Sequence, residues 1–327
     1  LKILQKMNIF KFITILFLLL LGHTSHATAK LREPNVQVGI HINDIRNISF
    51  RNDSFVVDAT LWFKWRDRTL QPHKTFKLLD AKIDSRKVTT DVFLEKEQVR
   101  YAVVAFIATV DKKWDIEKFP FDKQTLHLDI EEEELEFDKV LYAVDEANIH
   151  PNSKLEIHGW QVESYKTYVS ENSYDTNFGD PRLPSDDVYF ASEFNQKITI
   201  RRASMATGFK LLIAPLVAIF LMSAILRLPP TEAARMTVMT AALFALVSAN
   251  YLVTNMLPDS EGFSYAEKLI SLGLVECGLY FVETVSALKL TKAGHEDRAR
   301  TIDKRLFWVL CIVNAAFAAY TVGLLTT

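Results

Sequence analysis

Residues 232–258 read EAARMTVMTAALFALVSANYLVTNMLP, a segment apolar enough to cross a membrane that also carries a stripe of small and polar side chains. The stripe residues recur at steps of four, three, four, three and four, so they share one face of a helix. They are Thr237, Ala241, Phe244, Ser248, Tyr251 and Asn255. Because unpaired hydroxyl groups are costly in hydrocarbon, the stripe indicates either a water-filled pore enclosed by several copies or close packing within a helix bundle.

The composition divides the chain into two parts. Its 327 residues allow two domains, with a charged, mixed segment at 30–203 and an apolar segment at 204–327. The formal net charge of −2 gives no basis for a nucleic-acid partner. The two cysteines, Cys277 and Cys311, both fall in the apolar part. The first domain therefore contains no disulfide and needs a hydrophobic core of its own.

The N-terminal 29 residues have the features of an export signal. Lys6 and Lys11 precede an apolar run at 12–21, and Ala27-Thr28-Ala29 offers a small-residue cleavage site. The run is shorter than a spanning helix requires, which favours a cleaved signal peptide at 1–29 over an uncleaved anchor.

Apolar runs predict four membrane helices, at about 209–228, 233–257, 264–290 and 304–325. Arg227 and Arg235 flank the first connection, whereas the second carries Asp259 and Glu261 without Lys or Arg. The positive-inside rule then places the 30–203 domain and the C-terminus outside. The third connection is the most basic, with Lys289, Lys292, Arg298, Arg300, Lys304 and Arg305.

Alternating apolar residues predict that the outer domain is a β-sandwich of the immunoglobulin-like kind. Val36, Val38, Ile40 and Ile42 alternate with polar residues, and 55–65, 126–130 and 198–200 repeat the pattern.

Catalytic chemistry is not indicated. The histidines of the 30–203 domain lack metal-ligand spacing, and neither a nucleophile elbow nor a glycine-rich phosphate loop is present. We therefore expect no enzyme activity, metal or cofactor, and we interpret these histidines as surface or turn residues. The acidic run at 131–134 is either a solvated strand end or a site for a cationic ligand beside aromatic faces.

One segment, WDIEKFPFDKQTL at 114–126, resembles a known family. It is similar to the Phe-Pro-Phe-Asp loop of the pentameric ligand-gated ion channels, the Cys-loop receptor superfamily. The two cysteines that bracket this loop in animal receptors are replaced here by Lys112 and Leu126, as in the prokaryotic branch. The resemblance covers nearly all of 34–327 and extends to LWFKWRD at 61–67, Arg201-Arg202, Pro215 and NMLP at 255–258.

The resemblance implies a homopentamer in which the second membrane helix lines the pore and ligands bind between neighbouring ectodomains. We expect a channel in a bacterial inner membrane, with the ectodomain and C-terminus in the periplasm. Its partners would be further copies of itself, membrane lipid, permeant ions, and a small ligand or protons. The alternative is a non-conducting periplasmic sensor on the same scaffold.

Ligand-site residues are carried over from the family's binding loops. The principal face would comprise Asp91 and Phe93 in the first loop, Glu131 and Glu133 in the second, and Tyr189, Phe190 and Phe194 in the third. In the first loop, Val88 and Thr90 replace the family's Trp and Pro. An acid beside aromatic rings suits an amine. The complementary face would supply Thr60, Trp62 and Tyr101.

The resemblance also implies a junction that couples the two domains. Asp53, Asp122, Arg201 and Arg202 would form an ion-pair cluster touching the loop that begins at Pro258. Such a cluster would either bias a two-state element or only anchor one domain on the other.

Three carboxylates in the membrane part have alternative interpretations. Glu232 would place a ring of acids at the cytoplasmic mouth and favour cations, although the adjacent Ala233-Ala234-Arg235 resembles anion-selective members. Glu276 and Glu283 share one face of the third helix, where they would sense pH or bond to a neighbouring helix through Asn250 or Asn314.

Overall fold

The computed structural model describes residues 34–132, 140–177, 179, 189–259 and 262–326. The expected signal peptide at 1–29 lies outside them. Within this range the strands are β1 (Val36–Ser49), β2 (Ser54–Trp65), β3 (Phe76–Leu78), β4 (Ala81–Leu94), β5 (Val99–Asp111), β6 (Lys123–Glu132), β7 (Tyr142–Val144), β8 (Trp160–Tyr174) and β9 (Tyr189–Arg202). The helices are α1 (Pro72–Thr75), α2 (Met205–Ile225), α3 (Ala234–Met256), α4 (Tyr265–Lys292) and α5 (Glu296–Thr326).

The strands form the predicted β-sandwich. One sheet has the order β4-β5-β2-β1-β7 and the other β3-β6-β9-β8, with every pairing antiparallel except that of β1 with β7. Alternate residues of β2 from Phe55 to Trp65 are at most 1% exposed. This period of two turns one face of each strand into a shared apolar core.

The four longer helices are each long and apolar enough to cross a membrane. Helix α5 is the most peripheral, since 6% of its apolar stretch is buried compared with 44% in α4. It begins at Glu296 rather than near 304. Hydropathy marks only the apolar part of a helix, whereas the charged turns between 296 and 305 continue the same backbone hydrogen bonding.

His73 corrects the expectation that the ectodomain histidines are surface or turn residues. It lies in the one-turn helix α1, is completely buried, and stacks on Trp65 with ring centroids 5.2 Å apart. Burial lowers the pKa of His73, while Asp91, at 3.3 Å from its Nε2, raises it.

Candidate functional site

The polar stripe of α3 lies opposite the face that packs within the subunit. The packed face comprises Arg235, Met239, Ala242, Leu246, Ala249 and Val253. Helix α4 approaches this face closely, because a Cβ atom added to Gly273 would lie 2.8 Å from Leu246. On the stripe, Phe244 is 68% exposed and Tyr251 70% exposed. Packing within one subunit therefore does not use the stripe.

Several polar side chains of α3 are satisfied within the helix itself. Thr237 and Thr240 donate to the carbonyl oxygens of Ala233 and Met236, at 3.3 and 2.9 Å. Bonds of this kind allow a hydroxyl on a helix to face a variable environment without an orphaned donor. The stripe is thus compatible with intermittent contact with water.

The outer end of α3 contacts the ectodomain directly. Arg51, in the turn between β1 and β2, donates to the side-chain oxygen of Asn255 at 2.8 Å and to its carbonyl oxygen at 3.2 Å. Asn255 in turn donates to the carbonyl oxygen of Tyr251. The last residue of the stripe therefore joins the helix to the β1–β2 turn.

At the opposite end of α3, Arg235 is completely buried. Its guanidinium makes a two-pronged contact with Asp303 of α5, at 3.0 and 2.7 Å, and lies 3.4 Å from Glu283 of α4. It also donates to the carbonyl oxygens of Leu226 and Leu228. Arg235 thus holds three helices together, and its charge points into the bundle. Glu232, by contrast, lies exposed in the turn before α3.

Glu276 of α4 makes one of the two interhelical contacts expected from the sequence, the one with Asn314. It is 1% exposed and accepts a hydrogen bond from Asn314 of α5 at 2.8 Å. Glu276 and Glu283 therefore both take part in packing α4 against neighbouring helices.

The domain junction contains the expected contact between Asp122 and Arg202. The Arg202 guanidinium donates to Asp122 at 3.2 Å and lies 4.2 to 5.4 Å from the ring centroids of Trp160, Phe50 and Phe119. Asp122 is 2% exposed and also accepts a bond from Gln124. Arg202 is therefore held by one carboxylate and three aromatic faces.

The Phe-Pro-Phe-Asp loop caps the start of α4. The first N–H groups of a helix have no partner within the helix, and here those of Tyr265 and Ala266 donate to the carbonyl oxygens of Glu117 and Phe119, at 2.9 and 3.2 Å. On α2, Gly208 is required by close approach, because an added Cβ would lie 2.6 Å from the Phe121 ring. The loop is therefore wedged between two membrane helices.

The ion-pair cluster at the domain junction contains fewer residues than expected. Arg201 pairs with Glu163 of β8 at 3.5 Å, so it lies on the outside of its sheet rather than with Asp122. Among the described residues, the Oδ1 atom of Asp53 is shielded and lacks a hydrogen-bond partner. Pro258 follows the end of α3 and is partly exposed. The loop after α3 is described only at its two ends.

On the candidate principal face, Glu131 is already surrounded. It is 1% exposed and accepts bonds from Asn172 and from the Tyr174 hydroxyl, each at 2.7 Å. Lys77 lies directly opposite on β3, with its Nζ 3.4 Å from Glu131 and 5.9 Å from the Tyr174 ring centroid. The Glu131 carboxylate, the Tyr174 ring and the Lys77 ammonium group of the same chain thus lie in contact with one another.

The other principal residues are spread out. Asp91 forms a two-pronged pair with Arg100 at 2.8 and 2.9 Å, which lowers the Asp91 pKa, and Phe93 lies 4.7 Å from the Arg68 guanidinium. Phe190 is 58% exposed. Phe194 is fully buried in the sandwich core. Glu133 and the side chain of Tyr189 lie outside what the structure describes.

The candidate complementary residues share one sheet face. On β2, Thr60 and Trp62 point to the same side as Lys64, whose neighbour across the sheet is Tyr101 of β5. Trp62 and Lys64 both donate to Asp145, at 2.8 and 2.6 Å. The three residues predicted from the sequence therefore lie on the same face of one sheet.

A nearby carboxyl group has an unusual proton affinity. Burial, reinforced by the negative charges of Asp80 and Glu131, raises the pKa of Asp129 to about 6. Burial also raises the pKa of Glu193, with Asp129 contributing. These acids lie on the sheet that carries Glu131.

No established family profile matches the chain. A curated relative from Gloeobacter violaceus, named a proton-gated ion channel, is 22% identical over 271 residues, which are 76% of this chain and 71% of the relative. The resemblance to the pentameric ligand-gated ion channels is thereby confirmed. Four helices of the chain are long and apolar enough to cross a membrane, as the architecture implied by that resemblance requires.

Sequence reasoning missed two features of this structure. Lys77 gives no signal in the sequence, because its place beside Glu131 depends on how β3 pairs with β6. The contact of Arg235 with Asp303 joins residues of two separate helices. The two residues are 68 positions apart in the chain, so no local periodicity in the sequence relates them.

Proposed function

We propose that the chain forms a homopentameric, cation-selective channel in a bacterial inner membrane, with its ectodomain and C-terminus on the periplasmic side. Helix α3 lines the pore. One observation carries this proposal: the polar and aromatic stripe of α3 is exposed opposite its packed face. Five copies around an axis would turn those stripes toward a common channel.

We assign gating to a small ligand between ectodomains, an amine being favoured. Glu131 and Tyr174 offer a carboxylate and a ring face to an ammonium group. Lys77 already holds this position. An amine therefore has to displace an internal ammonium group, and weak affinity for simple amines is expected.

Protons are the second candidate for the activating ligand. The relative is named for proton gating, and the pKa of Asp129, about 6, lies where a modest acidification protonates it. Amine binding at Glu131 and protonation of Asp129 would both act on the β6–β9 sheet and be coupled to the membrane helices through the Asp122–Arg202 contact. A non-conducting sensor would use the same ectodomain but would have no use for the exposed stripe.

The test is current recording from the full chain reconstituted in lipid bilayers, with a panel of small amines and steps from pH 7.5 to pH 4.5. Ser248→Cys and the off-stripe control Leu243→Cys are made after Cys277 and Cys311 are replaced by Ala. A charged methanethiosulfonate reagent should block current only in the Ser248 variant. Absence of current under every condition supports the sensor, and equal block of both variants contradicts a pore lined by the stripe.

A further inference from the structure

Two side chains of the candidate complementary face converge on one buried carboxylate, that of Asp145. Trp62 donates its indole N–H to the Oδ2 atom of Asp145 at 2.8 Å, and the Lys64 ammonium group donates to the same atom at 2.6 Å. Asn148 donates to both carboxylate oxygens, at 2.9 and 3.1 Å. Asp145 is 6% exposed. Nothing in the proposed gating mechanism uses this carboxylate.

The backbone fixes where Asp145 lies. Strand β7 runs parallel to β1, with Val144 opposite Val38, and the Asp145 N–H donates to the carbonyl oxygen of Val38 at 2.9 Å. The N–H of Asn148 donates back to the Asp145 carbonyl oxygen at 3.0 Å and closes a turn. Burial raises the pKa of Asp145, but the hydrogen bonds from its three side-chain donors lower it, and the pKa falls below its ordinary value. Asp145 is therefore a negative charge at a fixed position.

The Trp62 ring is held on two sides. Across the sheet its neighbour on β1 is Gly39, and a Cβ atom added to Gly39 would collide with the ring. The ring therefore lies against the β1 backbone, with its N–H group turned to Asp145. Trp62 remains partly exposed. A ring held in this way presents its free surface to a ligand in one orientation, and an aromatic surface attracts cations.

Lys64 would make this part of the face positive if it were not paired. Its side chain is 29% exposed. Four residues lie opposite Trp62 and Lys64 across the sheet, and none of them is charged. They are Gln37, Gly39, Tyr101 and Val103. Without Asp145, the Lys64 charge beside Trp62 would repel an ammonium group and attract a carboxylate.

We infer that Asp145 determines the charge of the ligand that the complementary face accepts. It holds the Trp62 ring in place and cancels the charge of Lys64, so that the face takes an ammonium ligand rather than a carboxylate. Asp145 is a positioning residue, because it acts on the ligand through these two side chains. The inference rests on the proposed ligand site between ectodomains.

The first test measures the local potential and does not need ion conduction. Tyr101→Cys is introduced beside Lys64 in the full chain, in the background without the two native cysteines. Mass spectrometry then follows its modification by methanethiosulfonates that carry either a trimethylammonium or a sulfonate group. In D145N the uncancelled Lys64 charge should speed the sulfonate reagent and slow the ammonium reagent. A unit charge acting through water over about 7 Å changes each rate about threefold.

Matched variants separate charge from structure. D145N/K64Q should restore both rates, because the face is neutral again. K64Q alone leaves the Asp145 charge uncancelled and should shift both rates the opposite way, so it decides the matter even if D145N fails to assemble. The control D44N removes an exposed acid that is paired with Arg46 further along β1, and it should change neither rate.

Three results would overturn the inference. An equal change in the rates of both reagents would indicate altered access rather than altered charge. A double variant that keeps the rates of D145N would leave Asp145 with a structural role only. An introduced cysteine that reacts with neither reagent would show that this face is covered in the assembly and contacts no ligand.

The second test measures currents activated by n-propylamine in reconstituted protein. D145N should raise the concentration for half-maximal current about threefold and leave the maximal current unchanged, and D145N/K64Q should reverse the shift. An unchanged half-maximal concentration in D145N would contradict the inference. A wild-type protein that gives no current with n-propylamine would contradict the amine assignment of the proposed function, whereas the modification rates would still decide the role of Asp145.

Discussion

Arg202 is held by two different kinds of interaction, and single substitutions separate them. Its ion pair with Asp122 involves a carboxylate that is 2% exposed, while its cation–π contacts involve Trp160, Phe50 and Phe119. Removing one partner of a buried pair costs roughly 3–5 kcal/mol, and the partial exposure of Arg202 places it at the lower end. Coupling between allosteric sites is about 1–3 kcal/mol, so this loss is large enough to disconnect the domains.

We therefore expect Asp122→Ala and Arg202→Ala each to reduce channel opening at saturating ligand or to impair assembly. Their double variant should be less than additive, because both changes break one interaction. The measurements are concentration–response curves and the melting temperature of the detergent-solubilised protein. Lys123→Ala, an exposed neighbour of Asp122, is the control. Strict additivity would show that the two residues act separately.

Lys77 predicts how the channel discriminates among amines. Its ammonium group lies 3.4 Å from Glu131 and is partly exposed, so the pair contributes about 0.2–1 kcal/mol. Lys77→Ala should therefore lower the concentration of amine needed for half-maximal current by about 1.4- to fivefold. Lys82→Ala removes an exposed lysine from β4, the next strand along the chain, and should leave the curve unchanged. A shift to higher concentration in the Lys77 variant would mean that this lysine binds the ligand.

Asp129 predicts a pH dependence of stability with a definite sign. Its pKa of about 6 lies above the ordinary value of 3.8, so the folded protein keeps this proton between those values whereas the unfolded chain loses it. The contribution is fully present below pH 4 and is lost as pH rises through 6. With allowance for solvent screening it is of order 1–2 kcal/mol.

Asp129→Asn should abolish this dependence. Melting temperatures of the full chain between pH 4 and 7.5 should show the wild type falling relative to the variant as pH rises. Asp111→Asn, at the exposed end of β5, serves as the control and should run parallel to the wild type. Parallel curves for Asp129→Asn as well would mean that the Asp129 carboxyl titrates at its ordinary value.

Secondary-structure elements can be predicted from local patterns where all residues of the segment contact the same environment, such as the core or lipid. The buried positions of β2 and the apolar spans are of this kind, since each residue meets the same core or lipid at a fixed period. Pairing is not local. The place of Lys77 opposite Glu131, the burial of His73 beneath α1 and the reach of Arg235 to Asp303 all depend on which elements become neighbours. The candidate pore-lining stripe could thus be predicted from the sequence, whereas the contact of Lys77 with Glu131 could not.

Helix α3 gives the prediction at the scale of an element. Phe244 lies on the exposed stripe, and a ring of five phenyl groups closes a narrow passage by excluding water. Phe244→Ala should raise the resting current or shift activation to lower ligand concentration. Leu243→Ala removes a comparable side chain that is 43% exposed but lies off the stripe, and it should have a smaller effect. Equal effects of both variants would remove Phe244 from the gate.

Charge selectivity belongs to the whole assembly, because it depends on a ring that one subunit cannot form. The sequence left the sign open, since Glu232 favours cations while the following residues resemble anion-selective members. The structure places Glu232 exposed in the turn before α3 and turns the Arg235 guanidinium into the bundle, where it pairs with Asp303. In a pentamer the mouth would then carry five carboxylates without five opposing guanidinium groups.

Reversal potentials in asymmetric NaCl should therefore follow the sodium gradient. Glu232→Gln should move them toward zero, since the ring loses its charge while the pore keeps its width. Glu296→Gln removes an exposed acid from the start of α5 that is paired with Arg300, and it should leave selectivity unchanged.

Arg235→Gln tests the packing role, because loss of its contacts with Asp303 and Leu228 should reduce assembly rather than alter selectivity. A wild-type reversal potential that tracks chloride would contradict the proposed ring, because the exposed carboxylates would then not face the permeating ions.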